Sequence, residues 1–250
     1  MTEPILIVRD VSKRFAGLLA VNAVSLEAHA REVHAVIGPN GAGKTTLINL
    51  LSGDLVPSAG GIVFAGADIA GLPAHRIARL GIGRSYQKTN IFPGFSVFEN
   101  CRLAAQSRLG SSMRFFRPAR TYREINDAAG RAIALVDLAH TANLVAGTLS
   151  HGEQRQLEIA MALATSPKVL LLDEPLAGMG ADESARMTAL IARLAADHAI
   201  ILVEHDMDAV FSVAHRLTVM VNGMVLETGT PQAIRRSKAV QQAYLGTDEA

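Results

Sequence analysis

The run Gly38-Pro39-Asn40-Gly41-Ala42-Gly43-Lys44-Thr45 satisfies every fixed position of G-x-x-x-x-G-K-[ST]. An apolar strand, Val33 to Ile37, is predicted before it, and a helix, Thr46 to Leu51, after it. Glycines at these positions let successive backbone N–H groups turn inward around phosphate oxygens. The start of the following helix adds partial positive charge. Lys44 is placed to reach the β- and γ-phosphates, and the Thr45 hydroxyl to ligate Mg2+. A glycine-rich turn with a surface lysine is the plainer alternative, and the strand–loop–helix context argues against it. Residues Gly38 through Thr46 are therefore the candidate nucleotide-binding set, although the loop alone does not say which nucleotide or to what end.

Further along, Val169 to Leu172 is an apolar strand that ends in two carboxylates, Asp173 and Glu174. Asp173 is expected to orient the Mg2+ shell, and Glu174 to polarise the attacking water or take its proton. A second apolar strand, Ile200 to Val203, follows a helix predicted through Ala185 to Ala195. Continuous apolar strands separated by helices imply parallel strands buried on both faces. Before the loop, Leu6 to Val8 and Ala23 to Glu27 read as short strands. Gly60-Gly61 and Gly66 bracket another at Ile62 to Phe64. Between Glu99 and Leu144 the pattern becomes helical, with Ile125, Ala128, Ala132, Leu135 and Leu138 at helical spacing. The expected fold is α/β. It has a core of mainly parallel strands, an N-terminal antiparallel β subdomain and a helical insertion at about 99–150, within one domain spanning 1–250.

Composition narrows the function classes. Of 250 residues, 49% are hydrophobic and 19% charged, an ordinary globular balance. Lys plus Arg number 24 against 23 acidic residues, which gives no electrostatic case for a nucleic-acid partner. Cys101 is the one cysteine, so no internal disulfide or cysteine metal cluster can form. The first ten residues lack the basic-then-apolar layout of a secretory signal. No apolar run reaches the roughly 18 residues of a membrane span, so any membrane role is expected to run through partners.

With these motifs in place, the chain resembles the ATP-binding subunits of ABC transporters over essentially its whole length. Ser150-His151-Gly152-Glu153-Gln154 is similar to the family's signature loop, LSGGQ. The resemblance implies that Ser150, Gly152 and Glu153, at the start of a helix to about Ala164, face the γ-phosphate of an ATP held by a second subunit. The N-terminus of a helix suits that anion, and a simple Ser150 N-cap is the plain alternative. By the same resemblance Gln87 is the Q-loop glutamine that touches Mg2+ and water. His205 is the switch histidine at the γ-phosphate, and Phe15 is the aromatic that stacks on adenine. Glu174, His205, Lys44 and Gln87 form the expected catalytic set, and Thr45, Gln87 and Asp173 the expected Mg2+ set. Two departures stand out. His151 and Glu153 replace the signature's first glycine and glutamine, and Leu176-Ala177-Gly178-Met179-Gly180 ends in glycine where the family's D-loop has aspartate.

Gly38 to Gly53, Phe92-Pro93-Gly94 with Glu99-Asn100, Leu149 to Leu163, Pro175 to Gly180 and a C-terminal extension at about 229–250 are similar to the LivG-like branch, which serves branched-chain amino acid importers. That implies ATP and Mg2+ as ligands and a dimer with a second ABC ATPase subunit. It further implies two integral membrane permeases, a periplasmic substrate-binding protein reached through them, and a peripheral place on the cytoplasmic face of the inner membrane. Urea or amide uptake and lipopolysaccharide export are neighbouring possibilities. A soluble ABC ATPase acting on ribosomes or DNA and a non-hydrolysing nucleotide sensor are the rivals from other classes. Arg235, Arg236 and Lys238 read as a solvated helix face.

Overall fold

Three strands of five residues, β3 (Val33–Ile37), β7 (Val169–Asp173) and β8 (Ala199–Val203), are buried along their whole lengths. The computed structural model, which describes residues 3–87, 89–108 and 121–245, shows why their sequences are apolar without interruption. Leu170 and Leu172 of β7 pack into one hydrophobic cluster, and Val169 and Leu171 into another on the opposite face. Successive side chains of a strand point to opposite faces, so both faces need apolar residues here.

These strands belong to a six-stranded sheet ordered β10-β9-β3-β8-β7-β6, completed by β6 (Ile82–Arg84), β9 (Arg216–Val221) and β10 (Met224–Gly229). Its pairings are parallel except for β9 with β10. An antiparallel sheet ordered β2-β1-β4-β5 packs over one face, built from β1 (Pro4–Phe15), β2 (Leu18–His29), β4 (Ala59–Phe64) and β5 (Ala67–Asp68). β1 and β2 are 12 residues each, far longer than the apolar cores Leu6–Val8 and Ala23–Glu27 suggest. The additional residues alternate with solvent, and register shifts break the pattern between Val8 and Arg14. Half-solvated antiparallel strands tolerate polar residues on one side.

Helices α1 (Lys44–Ser52), which leaves the phosphate loop, and α2 (Ala74–Leu80) sit with the β1–β2 sheet in one cluster. The other cluster holds α3 (Val97–Gln106), α4 (Arg123–Leu135), α5 (His151–Ala164) and α6 (Ala181–Leu194). α3 starts two residues before the expected Glu99, because Ser96 and Glu99 form a capping box. α6 starts at Ala181 rather than Ala185, with Asp182 and Glu183 in its first turn, where the helix dipole favours acids. In α4 the buried face is Ile125, Ala129, Ala132 and Ile133. The helix stops at Leu135, which is exposed, and Leu138 is buried from the turn beyond it, so the expected stripe is rotated by part of a turn.

Candidate functional site

β3 delivers the chain to Gly38, and α1 takes it away from Gly43. Both glycines are forced: a Cβ on Gly38 would lie 2.0 Å from the Met220 carbonyl oxygen, and one on Gly43 2.5 Å from that of Ala20. Both also have positive φ, a region costly for other residues. The loop, Phe15, Gln87 and Glu174 line one cavity of about 570 Å3. Lys44 lies almost buried in it, and its Nζ donates to the Gly38 and Pro39 carbonyls at 2.7 and 3.0 Å. Burial lowers the lysine's pKa, while Glu174 and Asp173 pull it back up. Phe15 is 42% exposed at the cavity's edge, with Lys13 Nζ 5.2 Å from its ring centroid.

Asp173 ends β7 at 1% exposure. Neither of its carboxylate oxygens makes a hydrogen bond, and Arg84 Nη2 stands 3.5 Å from one of them. Burial raises its pKa, and the nearby Arg84 opposes that. A buried carboxylate with both oxygens unsatisfied next to a phosphate cradle and a free Thr45 hydroxyl suits a hard divalent cation such as Mg2+. Glu174 follows in a left-handed conformation, φ 50°. Its N–H donates to the Val203 carbonyl at 2.9 Å, and its Oε2 accepts from Gln87 Nε2 at 3.0 Å. The strained backbone of order 1 kcal/mol or more turns its carboxylate toward the loop.

Not every expected residue joins this cavity. His205 follows β8, but its side chain is 64% exposed and reaches only Glu204, with Nδ1 3.7 Å from Oε2. Ser150, Gly152 and Glu153 line a different cavity of about 360 Å3, beside Glu183 and Arg186. There Ser150 Oγ accepts from the Glu153 N–H at 3.3 Å, and Glu153 Oε2 accepts from the Ser150 N–H at 2.8 Å. Within a single chain these two residues cap α5 and meet no part of the phosphate loop's cavity.

Four charged residues escaped the reading of the sequence. Arg155 and Glu158, both nearly buried on α5, are paired at 3.2 Å. Together they grip the backbone around Gln87: Arg155 donates to the Tyr86 and Gln87 carbonyls, and Glu158 accepts from the Tyr86 N–H at 2.9 Å. Arg84 donates to Asp54 at 2.6 Å and to Ser52 at 2.7 Å, and its guanidinium lies 4.5 Å from the Tyr86 ring centroid. Glu204 is fully buried, and burial pushes its carboxyl up while the Leu176 and His205 N–H groups pull it down. The usable signal was charge inside apolar runs, as in Ile82-Gly83-Arg84 and Ile200 to Glu204. Arg84, Tyr86, Asn90, Glu158 and Met161 wall a groove of about 200 Å3. The stacked rings of Phe92 and Phe95 are 5.5 Å apart and half exposed.

A mainly parallel sheet that presents a phosphate loop and an acidic strand end to one cavity, with a capped serine turn on another, defines an ATP-binding cassette. Residues 21–177 match the family described as ABC transporter, and the chain belongs to that family of ATPases. Its more particular kinship is with branched-chain amino acid cassettes: residues 225–250 match the family described as branched-chain amino acid ATP-binding cassette transporter. It is 42% identical to the high-affinity branched-chain amino acid transport ATP-binding protein BraF of Pseudomonas aeruginosa, over 98% of this chain and 99% of that one. It is 40% identical to LivG of Escherichia coli K12, of the same description, over 98% and 99%. Among solved structures it resembles a nucleotide-free ATP-binding cassette from an ABC transporter, with TM-score 0.86, 27% identity, and 97% and 99% coverage. It equally resembles the ADP conformation of an ATP-binding cassette of an ABC transporter, with TM-score 0.86, 27% identity, and 98% and 100% coverage.

Proposed function

We propose that this chain is the ATP-hydrolysing subunit of a transporter that imports branched-chain amino acids or related amino acids and amides. It would sit on the cytoplasmic face of the inner membrane with a second ATPase subunit, two permeases and a periplasmic substrate-binding protein. The observation that carries the reading is the separation of the phosphate loop and the signature turn into two cavities of one chain. Each chain then supplies half of two sites, completed when two chains meet head to tail. No helix among the described residues is long and apolar enough to cross a membrane. On this reading the groove beside Tyr86 and the exposed Phe92–Phe95 pair receive permease helices. The kinship with BraF and LivG supports the substrate class.

On this reading Phe15 stacks on adenine, and the loop's N–H groups and Lys44 hold the triphosphate. Thr45, Asp173 and Gln87 would hold Mg2+, which when bound neutralises charge on the phosphate oxygens. Glu174 accepts a proton from water as the water oxygen attacks the γ-phosphorus. The bond to the β-phosphate oxygen breaks, leaving ADP and inorganic phosphate. Ser150, Gly152 and the α5 N-terminus of the opposite chain, with His205, stabilise the charge on the transferring group. Nucleotide drives transport only through its preference for the closed pair. Glu174→Gln tests the core of this: steady-state turnover should fall at least about a hundredfold while ATP-dependent dimers persist. Near-normal turnover would remove Glu174 from its role. Uptake of labelled leucine, measured against urea as competitor in membranes holding the full complex, tests the substrate class.

A further inference from the structure

We propose that Glu204 is a positioning residue for hydrolysis, a carboxylate that fixes the turn after Glu174 and the loop of His205 in one register. Its side chain is fully buried at the end of β8. Oε1 accepts from the Leu176 N–H at 2.7 Å, and Oε2 from the His205 N–H at 3.1 Å. Alongside, the Glu174 N–H donates to the Val203 carbonyl at 2.9 Å. Two strand ends are thus stitched together twice in neighbouring positions, once through backbone and once through this carboxylate. Glu174 has a positive φ, and a strained residue keeps its conformation only when its surroundings over-determine it. Leu176 lies two residues beyond Glu174, so the bond to Glu204 holds the far side of that strained turn. The same carboxylate holds the backbone from which the exposed His205 side chain swings. Glu204 touches neither nucleotide nor water in this scheme. It acts by fixing where two other side chains start.

The inference rests on the proposed roles of Glu174 and His205, and the experiment separates the two levels. In the full-length protein, kcat and KM for ATP are measured beside the affinity for a non-hydrolysable ATP analogue. The variants are Glu204→Ala, Glu204→Gln, His205→Ala and the Glu204→Ala/His205→Ala pair, with Glu174→Gln as the reference. A glutamine keeps the shape but offers one acceptor where two N–H groups need one each. We expect kcat to fall about thirtyfold in Glu204→Ala and about tenfold in Glu204→Gln, since small misplacement of reacting groups is costly. KM and analogue affinity should stay within roughly twofold, and His205→Ala should add little to Glu204→Ala, because residues acting as a unit are not additive. Wild-type kcat in Glu204→Gln, affinity lost in step with kcat, or full additivity with His205→Ala would each overturn the proposal. Should Glu204→Ala fail to fold, Glu204→Gln decides alone. Unchanged turnover in Glu174→Gln would instead bring down the reading of the site.

Discussion

Gln87 Nε2 donates a 3.0 Å hydrogen bond to Oε2 of Glu174, joining the loop after β6 to the carboxylate after β7. The glutamine is therefore placed to orient the proposed base. Gln87→Ala should lower ATP turnover roughly tenfold, the ordinary scale for a misaligned general base. Affinity for a non-hydrolysable analogue should change by less than about twofold, because Lys44 and the loop remain. Steady-state kinetics beside equilibrium binding would check the split; weakened affinity with kcat unchanged would place Gln87 in binding alone.

Two glycines should respond very differently to a methyl group. At Gly43 a Cβ would press on the Ala20 backbone oxygen at 2.5 Å, and φ is 97°. At Gly152 it would meet only the Glu183 carboxylate, with Oε1 at 2.8 Å, the far end of a flexible side chain. Gly43→Ala should cost about 3 kcal/mol or more, and Gly152→Ala about 1 kcal/mol or less. Glu183→Ala in combination should restore the second and leave the first unchanged. Denaturant unfolding of the four proteins measures both.

His34 makes the fold sensitive to acid. Its ring bridges the Glu27 carbonyl and the Thr218 hydroxyl, each at 2.8 Å, and Thr218 continues to Thr228 at 2.9 Å. The carbonyl can only accept, so Nδ1 carries the proton and Nε2 accepts from Thr218. Burial brings the pKa from 6.5 down to about 4. Between those values the unfolded chain binds a proton that the folded chain refuses, so stability falls as pH drops from 6.5 toward 4. The full loss is about 3 kcal/mol. Thermal unfolding from pH 7 to 4.5 should show it, with a flatter profile in His34→Gln.

Cys101 lies in the α3 core with 0% exposure, and burial pushes its thiol up to about 12. The thiolate is the reactive form. Native protein should therefore react with a thiol-specific reagent only through unfolding, at a rate orders of magnitude below that of the denatured chain. A native rate matching the denatured one would contradict the packing of α3 against α4 and α5.

The central strands and the phosphate loop were legible because one constraint governs each. β7 and β8 are apolar throughout since both faces are covered, and Gly43 is glycine because the Ala20 backbone leaves no room. The length of β1 and β2 was hidden, because half their residues meet water and look like loop. The α4 face was misjudged by part of a turn since alanines at 128 and 129 read alike, and packing against α3 and α5 chooses between them. Arg84, Arg155, Glu158 and Glu204 were invisible as partners. A buried charge announces itself in sequence, but the backbone group that satisfies it is brought from 28 to 72 positions away.

The grip of Arg155 and Glu158 on the Tyr86–Gln87 backbone gives α5 the mechanics of a crank. Glu158 and Ser150 are eight residues apart, about 12 Å along a helix axis. A tilt of about 10° imposed at the groove would swing the serine by about 2 Å, most of a hydrogen-bond length. On the proposed assembly, a push at that groove would reach the neighbour's nucleotide through one stiff rod gripped by two side chains.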